Sequence, residues 1–261
     1  MISIDFSGKN VLLTGAGGGI GAGIARAYAK AGAHVHMSDL KMEMMDGVVA
    51  EFKAAGYSYT AHPLDVTNEA MVQKLVDDIV AKDGKLDILC CCAGINVQKP
   101  YMMITSEEFD RVLAVNLVGM HKCIQAALKH MMPRGEGKIV NIASDSTRKG
   151  TPIMTPYSAS KFGVQSLTQS VALTAAASNI NVNAICPGLL ETAMGEELYE
   201  MMETLQGVPR EQMRQAMLSS MPLGRFQVPD DIGNAAVFLS SDLAVNITGQ
   251  ALNVNGGRSM N

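Results

Sequence analysis

The sequence lacks any unbroken apolar run of the ~20 residues that a membrane-spanning helix needs. The best stretch, Val112 to Met132, is broken by Asn116, His121, Lys122, Gln125, Lys129 and His130. It also lacks a block of like charge. Its 21 Lys and Arg stand against 25 Asp and Glu, for a net charge of −4. No basic footprint for nucleic acid is present. Cysteine is scarce and odd in number, five in all, with three adjacent at Cys90, Cys91 and Cys92. That is not a disulfide framework, and it points to reduced thiols in the cytoplasm. Neighbouring strand positions face opposite ways, so the three thiols do not form one compact metal site and read as small buried apolar residues. His34, His36, His62, His121 and His130 are dispersed, with no His-Glu-x-x-His or Cys-x-x-Cys spacing, so no catalytic metal is expected. Asp5 and Lys9 precede a strand-like run, which is not the pattern of an export signal.

What is present is an alternation. Of 261 residues, 48% are apolar and 18% charged, enough to bury a sizeable core. Short β-branched runs predict strands near Val11–Thr14, Ala33–Asp39, Ser58–Asp65, Leu86–Cys92, Lys138–Ala143, Asn181–Cys186 and Ala251–Asn255. Helical patterns fall between them, at Gly19–Ala31, Met42–Ala55, Asn68–Lys82, Ser106–Met132, Pro156–Ala177 and Pro229–Leu239. Several strands are apolar at almost every position, as in a sheet covered on both faces. The expectation is an α/β fold, a doubly wound parallel sheet of about seven strands built from right-handed βαβ units. No linker, repeat or low-complexity tract divides it, so residues 1–261 are read as a single domain.

One segment breaks the rhythm. Residues 189–221 show no strand, but two short helical patterns, Ala193–Leu205 and Arg210–Ser220. Met194, Met201, Met202, Met213, Met217 and Met221 crowd there. Long insertions in compact domains are often functional, and methionine suits an adaptable apolar surface, so the segment reads as a lid over a substrate site. The plainer reading is a helical excursion whose methionines pack on the core.

Thr14-Gly15-Ala16-Gly17-Gly18-Gly19-Ile20-Gly21 follows the first strand and opens the first helix. Glycines let the backbone approach a pyrophosphate, and the helix N-terminus offers free N–H groups to its charge. Gly15, Gly18, Gly19, Ile20 and Gly21 are the binding candidates. Asp39 ends the second strand about 18 positions past Gly21, where a carboxylate would accept the adenosine ribose hydroxyls and repel a 2′-phosphate. With no Arg or Lys in the loop, the cofactor expected is NAD rather than NADP, although Lys41 lies close by. The alternative for Asp39 is a cap on the helix that follows. Asp65, followed by Val66, ends the third strand and either faces the adenine or closes a turn.

Tyr157 and Lys161 are four apart at the start of a helix, hence on one face. A phenol with a pKa of about 10 is a poor acid–base catalyst at neutral pH, and a nearby ammonium favours the phenolate. Ser144 ends the preceding strand and offers a hydroxyl to a carbonyl oxygen. Asn116 inside an apolar helix is, taken alone, a satisfied core amide, and Pro187-Gly188 a turn after a strand.

Together these residues carry a resemblance. The Thr14–Gly21 loop, Ala93-Gly94, Asn116, Ser144, Tyr157, Lys161 and Pro187-Gly188 with Thr192 stand in the order and spacing of the short-chain dehydrogenase/reductase family, over essentially the whole chain. The resemblance implies a Rossmann-like fold and a nicotinamide cofactor. It implies that Tyr157 is the general acid/base. Lys161 would lower the tyrosine's pKa and bind the nicotinamide ribose, Ser144 would polarise the carbonyl, and Asn116 would hold a relay water. Ala93 and Gly94 would border the adenosine, while Pro187, Gly188, Leu190 and Thr192 would seat the nicotinamide carboxamide. It further implies a homotetramer, in keeping with the broadly apolar Ser106–Met132 helix.

The chain departs from the family at Cys91-Cys92, where Asn-Asn is usual. A thiol hydrogen-bonds weakly, which puts the contact between neighbouring strands in question. Around Ser144–Gly150 and Tyr157–Gly163 the chain is most similar to the branch acting on sugar alcohols, such as sorbitol-6-phosphate dehydrogenases. Arg148 and Lys149 either meet a polar or phosphorylated substrate or sit in a solvated loop. The substrate expected is a small-molecule polyol or ketose. The competing readings are a reductase of 3-oxoacyl chains or steroids, using the methionine-rich lid, and a dinucleotide-sensing scaffold without activity.

Overall fold

A computed structural model describes residues 3–147, 149–190, 199, 203 and 207–260. Seven strands form one parallel sheet: β1 (Asn10–Thr14), β2 (His34–Asp39), β3 (Tyr59–Pro63), β4 (Ile88–Cys91), β5 (Gly137–Ile142), β6 (Ile180–Pro187) and β7 (Ala251–Val254). Their order is β3-β2-β1-β4-β5-β6-β7, and every pairing is parallel. All seven expected strands are present, with ends moved by a residue or two. The order reverses between β1 and β4. In open parallel sheets the crevice at that switch point, beyond the carboxyl ends of the strands, is where ligands bind.

The helices are α1 (Gly19–Lys30), α2 (Asp46–Ala55), α3 (Glu69–Asp83), α4 (Ser106–Leu113), α5 (Met120–Arg134), α6 (Thr155–Ala175), α7 (Arg210–Ser219) and α8 (Pro229–Ser240). Their starts are chemically marked. The Asn68 side chain accepts the Met71 N–H ahead of α3, and Thr105 with Glu108 forms a capping box ahead of α4. The helices cover both faces of the sheet. Leu12, Leu89 and Val182 pack on one side with Val76 of α3, Ile124 of α5 and Ala172 of α6. Val11, Leu13, Val35 and Ile88 pack on the other with Ile24 of α1, Phe52 of α2 and Ala236 of α8. Two cores explain why the strands are apolar at consecutive positions: Leu12 serves one and its neighbours serve the other. Each fully buried Leu or Ile contributes roughly 1.5–3 kcal/mol relative to exposure.

Two expected helices are not single α-helices. The segment Met42–Ala55 opens with a 3₁₀ turn at Met42–Met45 before α2. The segment Ser106–Met132 is interrupted between α4 and α5 by a π-helical turn, Ala114–Gly119. The physical reason lies at Asn116, whose side chain is tied to a neighbouring loop. In the segment 189–221, α7 matches the second helical pattern. Of the first pattern, Ala193–Leu205, only Tyr199 and Glu203 fall within the described residues, and both are helical. Met194, Met201 and Met202 lie outside them, as do Thr192 and Arg148. Met213 and Met221 are buried and Met217 is half-buried, so this part of the methionine cluster packs inward. Among the described residues no helix is long and apolar enough to cross a membrane.

Candidate active site

The site collects at the carboxyl edge of the sheet. After β1 the chain turns at Gly15 with φ +72°, and a Cβ there would lie 2.7 Å from the backbone of Ala93. Only glycine lets these two loops meet. The Thr14 hydroxyl then accepts the N–H groups of Cys92 (3.1 Å) and Ala93 (3.2 Å), joining the ends of β1 and β4. The contact placed in question by the missing asparagine is therefore made by backbone and threonine.

Gly18 is the N-cap of α1, and no side chain caps it. The first-turn N–H groups of a helix without a side-chain cap are open to an anion, and the partial positive charge of the helix end favours one. Asp39 stands beside this loop. One of its oxygens accepts the Gly17 N–H (2.9 Å) and the other the Leu40 N–H (2.8 Å). It does not cap the following helical turn, whose N-cap is Lys41 with no side-chain bond. Gly17 was not among the expected site residues, and only the fold reveals its tie to Asp39. Asp65 accepts both the N–H and the hydroxyl of Thr67, a closed turn leading toward α3. Val66 is buried. The arrangement fits a dinucleotide: a glycine loop, an uncapped helix start, and a carboxylate at the end of β2.

On the other side of the crevice lie the remaining candidates. Tyr157 and Lys161 sit in the first turns of α6, and Ser144 follows β5. Ser144 hydrogen-bonds the Tyr157 phenol and draws its pKa down. Burial outweighs that effect, and with the Asp145 charge and the nearby Cys92 and Cys186 thiols it pushes the phenol up to about 12. Lys161 is buried, donates to the Ile142 carbonyl (2.7 Å) and lies 5.4 Å from the centre of the Tyr157 ring. Burial pushes it down to about 8. Burial, and not the ammonium 5.4 Å from its ring, sets the direction of the phenol's pKa among these side chains. Near neutral pH the lysine is itself only weakly held in its charged form, and desolvation dominates both groups.

Asn116 is fully buried. Its Oδ1 accepts the Ile95 N–H (2.8 Å), while its Nδ2 donates to the Ile95 carbonyl (2.9 Å) and to the Ser160 hydroxyl (3.0 Å). Both amide protons are used, so the side chain is a clamp between helix and loop. Gly94 lies between Asn116 and Lys161; a Cβ there would come 3.4 Å from one and 3.7 Å from the other. Ser160, within the Tyr157–Lys161 turn, went unnoticed in the sequence because its role appears only when Asn116 is placed beside it.

Pro187 ends β6. Gly188 donates to the Val254 carbonyl (3.2 Å), and Leu190 forms an isolated bridge with Gln227. Burial pushes the Cys92 thiol up to about 12 against the opposing charge of Lys161, which places it near that lysine. Cys90 and Cys91 are buried in opposite cores. Among the described residues no group of three or more His, Cys, Asp or Glu is arranged to hold a metal ion.

In sequence and fold the chain is similar to known proteins. A family model described as enoyl-(acyl carrier protein) reductase matches residues 15–259. A short-chain dehydrogenase/reductase of Armillaria gallica is 38% identical over 96% of this chain and 95% of its own. The chain belongs to the short-chain dehydrogenase/reductase family. It is an oxidoreductase, and the family's cofactor is a nicotinamide dinucleotide. Among other relatives, a 3-oxoacyl-[acyl-carrier-protein] reductase of Thermotoga maritima is 35% identical over 96% of this chain and 97% of its own. A sorbitol dehydrogenase of Cereibacter sphaeroides is 34% identical over 97% and 98%. A variant of actinorhodin polyketide ketoreductase, solved with NADPH, superposes with a TM-score of 0.92 at 32% identity, covering 98% of this chain and 99% of that one.

Proposed function

We propose that this short-chain dehydrogenase/reductase interconverts a secondary alcohol and a ketone, with Ser144, Tyr157 and Lys161 as its catalytic residues. The observation that carries the reading is the Ser144–Tyr157 hydroxyl pair with the buried Lys161 ammonium beside it, across the crevice from the glycine loop. When bound, the dinucleotide supplies the hydride acceptor or donor. In reduction, Ser144 donates to the carbonyl oxygen and Tyr157 gives it a proton as charge develops there. In oxidation the phenolate takes the proton back. Lys161 stabilises that phenolate and binds the nicotinamide ribose. Asn116 is proposed to belong to the relay as the clamp that holds the π turn against the Ile95 loop beside Lys161. Pro187, Gly188, Leu190 and Thr192 are the proposed seat of the nicotinamide, with Ala93, Gly94, Asp65 and Val66 bordering the adenosine.

Asp39 supports NAD over NADP. Its carboxylate sits on the loop that would meet the ribose, where a 2′-phosphate would face like charge. The substrate proposed is a polyol or ketose, in line with the polar run after Ser144 and the likeness to a sorbitol dehydrogenase. The likeness to a 3-oxoacyl reductase supports a second reading, an acyl ketone. The segment 189–221 is proposed as the lid. The face formed by α5 and α6, with Phe162 and Leu173 exposed, is proposed to join copies into a homotetramer, and five free thiols fit the cytoplasm.

Following NADH absorbance with NAD and NADP against polyols, diols, steroids and acyl ketones tests the reading. Tyr157→Phe is expected to lower turnover by a factor of about 10³ or more while NADH still binds. Unchanged turnover in that variant would falsify the mechanism.

A further inference from the structure

Beyond β7 the chain folds back on itself. Gly256 and Gly257 both take positive φ, +65° and +84°, a sequence of backbone angles that side chains disfavour. The turn is held in place: the buried Asn255 accepts the Gly257 N–H and donates to the Ser259 carbonyl (2.9 Å), and Gly256 accepts the Leu223 N–H (3.1 Å). The reversal delivers Arg258 to the loop after β5. There its guanidinium lies 2.5 Å from Oδ2 of Asp145, whose side chain is only 9% exposed. Oδ1 of the same carboxylate is 3.5 Å from the Ser144 hydroxyl. That hydroxyl also accepts the Ser146 N–H (3.1 Å).

We propose that Arg258 is a positioning residue of the active site: its ion pair with Asp145 holds the Ser144 loop against Tyr157 and neutralises a carboxylate that otherwise faces the phenol. The inference rests on the reading of Tyr157 as the acid/base. A charge-assisted contact of this geometry is among the stronger hydrogen bonds, and a buried carboxylate without its partner is costly. Nothing in the sequence pattern joins positions 145 and 258; the two left-handed glycines do. The groups facing the phenol among the described residues are Ser144 and Asp145 from the loop after β5, Cys92 from the end of β4, Cys186 from β6 and Lys161 from α6. The Asp145 charge resists ionisation of Tyr157. Lys161 supplies the opposing charge, and Arg258 reaches the group through Asp145.

The test compares Arg258→Gln, Arg258→Lys, Asp145→Asn and the Asp145→Asn/Arg258→Gln double variant. In the pH profile of kcat/KM for NAD-linked alcohol oxidation, Arg258→Gln is expected to move the acidic limb up by about one pH unit. That is a roughly tenfold loss at neutral pH. Arg258→Lys recovers part of it, and the double variant returns the limb to its original position. A merely structural arginine would lower the rate at every pH and would not be rescued by Asp145→Asn. A second readout needs no substrate. The phenolate absorbance of Tyr157, isolated by subtracting the spectrum of the Tyr157→Phe protein, should titrate about one unit lower in Asp145→Asn. This variant carries the inference if Arg258→Gln does not fold. An unmoved limb in Arg258→Gln, or an unmoved phenolate midpoint in Asp145→Asn, overturns it. If no alcohol is oxidised by any form, the proposed function fails, and the spectroscopic midpoint still decides this inference.

Discussion

The two ends of the sheet bury charge under opposite rules. At the amino end, the carboxylate of Asp87, just before β4, is almost wholly buried. It accepts the Asn10 N–H (2.9 Å) and stands 3.0 Å from Lys85, 3.7 Å from Lys9 and 3.8 Å from Arg134. At the carboxyl end, Lys161 is equally buried, yet among the described residues it has a carbonyl and a phenol and no carboxylate in ion-pair contact. The amino end ties the starts of β1, β4 and β5 together with compensated charge. The carboxyl end leaves a cation poorly solvated and a phenol desolvated, both far from their ordinary pKa values. Compensated burial serves stability, whereas uncompensated burial is retained where a proton must move. The same fold therefore separates its anchoring from its proposed chemistry along the strand direction.

The sharpest way to break this division is to remove the anchor. Asp87→Ala leaves three cations crowded together and the Asn10 N–H without its acceptor. The cations are partly exposed and relax into solvent, so the expected loss is about 3 kcal/mol, toward the lower end for a broken buried pair. For a chain of this size that lowers Tm by roughly 6–9 °C in a thermal melt. Asp87→Asn, which keeps an acceptor for Asn10, should lose less. The folded fraction of either variant should keep its kcat. A fall in kcat at a temperature where the variant is fully folded would show that the two ends are coupled after all.

The opposite substitution at the other end should stabilise. Lys161 titrates near 8 instead of 10.5, so in the folded protein its charged form is disfavoured by about 3 kcal/mol. Lys161→Met removes that cost but leaves the Ile142 carbonyl without its donor, worth about 1 kcal/mol. The net expectation at pH 7 is a gain of about 2 kcal/mol with turnover lost. The sign with pH follows from the depressed folded value: between about pH 8 and 10.5 the unfolded chain binds more protons than the folded one. The wild-type protein therefore gains stability as pH rises through that window, and the advantage of Lys161→Met fades across it. Melting the two proteins in parallel from pH 7 to pH 10.5 checks both points. A variant no more stable than the wild type at pH 7 would mean that the lysine's surroundings compensate its charge.

The two ends were not equally legible in the sequence. The strands announced themselves because two cores make consecutive positions apolar, and the glycine loop because its residues sit between a strand and a helix. That Tyr157 and Lys161 share one helix face was legible because four residues is about one helical turn. Tertiary pairings left no such trace. The break in the Ser106–Met132 helix comes from Asn116 bonding Ile95 and Ser160, contacts invisible to periodicity. The Gly17–Asp39 bond joins the ends of β1 and β2, and the Asp145–Arg258 pair spans 113 positions. Asp87 and its three cations come from three separate stretches, around Lys9, Lys85–Asp87 and Arg134, that any surface would tolerate. The direction of the Tyr157 shift is hidden in the sequence for a related reason: spacing shows that an ammonium is near, but only burial shows that desolvation prevails.

The smallest effect is expected at Cys92, where the chain departs from its family beside Lys161. Cys92→Asn restores the usual residue. The link from β4 to β1 at this point runs through the Cys92 and Ala93 N–H groups to the Thr14 hydroxyl, so the side chain at position 92 is not what holds the strands together. The thiol, pushed up to about 12, stays protonated at neutral pH and is no nucleophile. An amide of similar size meets a partly exposed position and a lysine it can accept from, so turnover should change by less than about twofold and stability by about 0.5 kcal/mol or less. Thr14→Val is the contrasting variant, because it removes the acceptor shared by both N–H groups and should cost about 1–3 kcal/mol. Steady-state rates and thermal melts of the pair decide the matter. If Cys92→Asn instead abolished turnover while Thr14→Val left the fold unchanged, the carboxyl end would be held by its side chains and not by its backbone. The thiol would then belong among the groups that act.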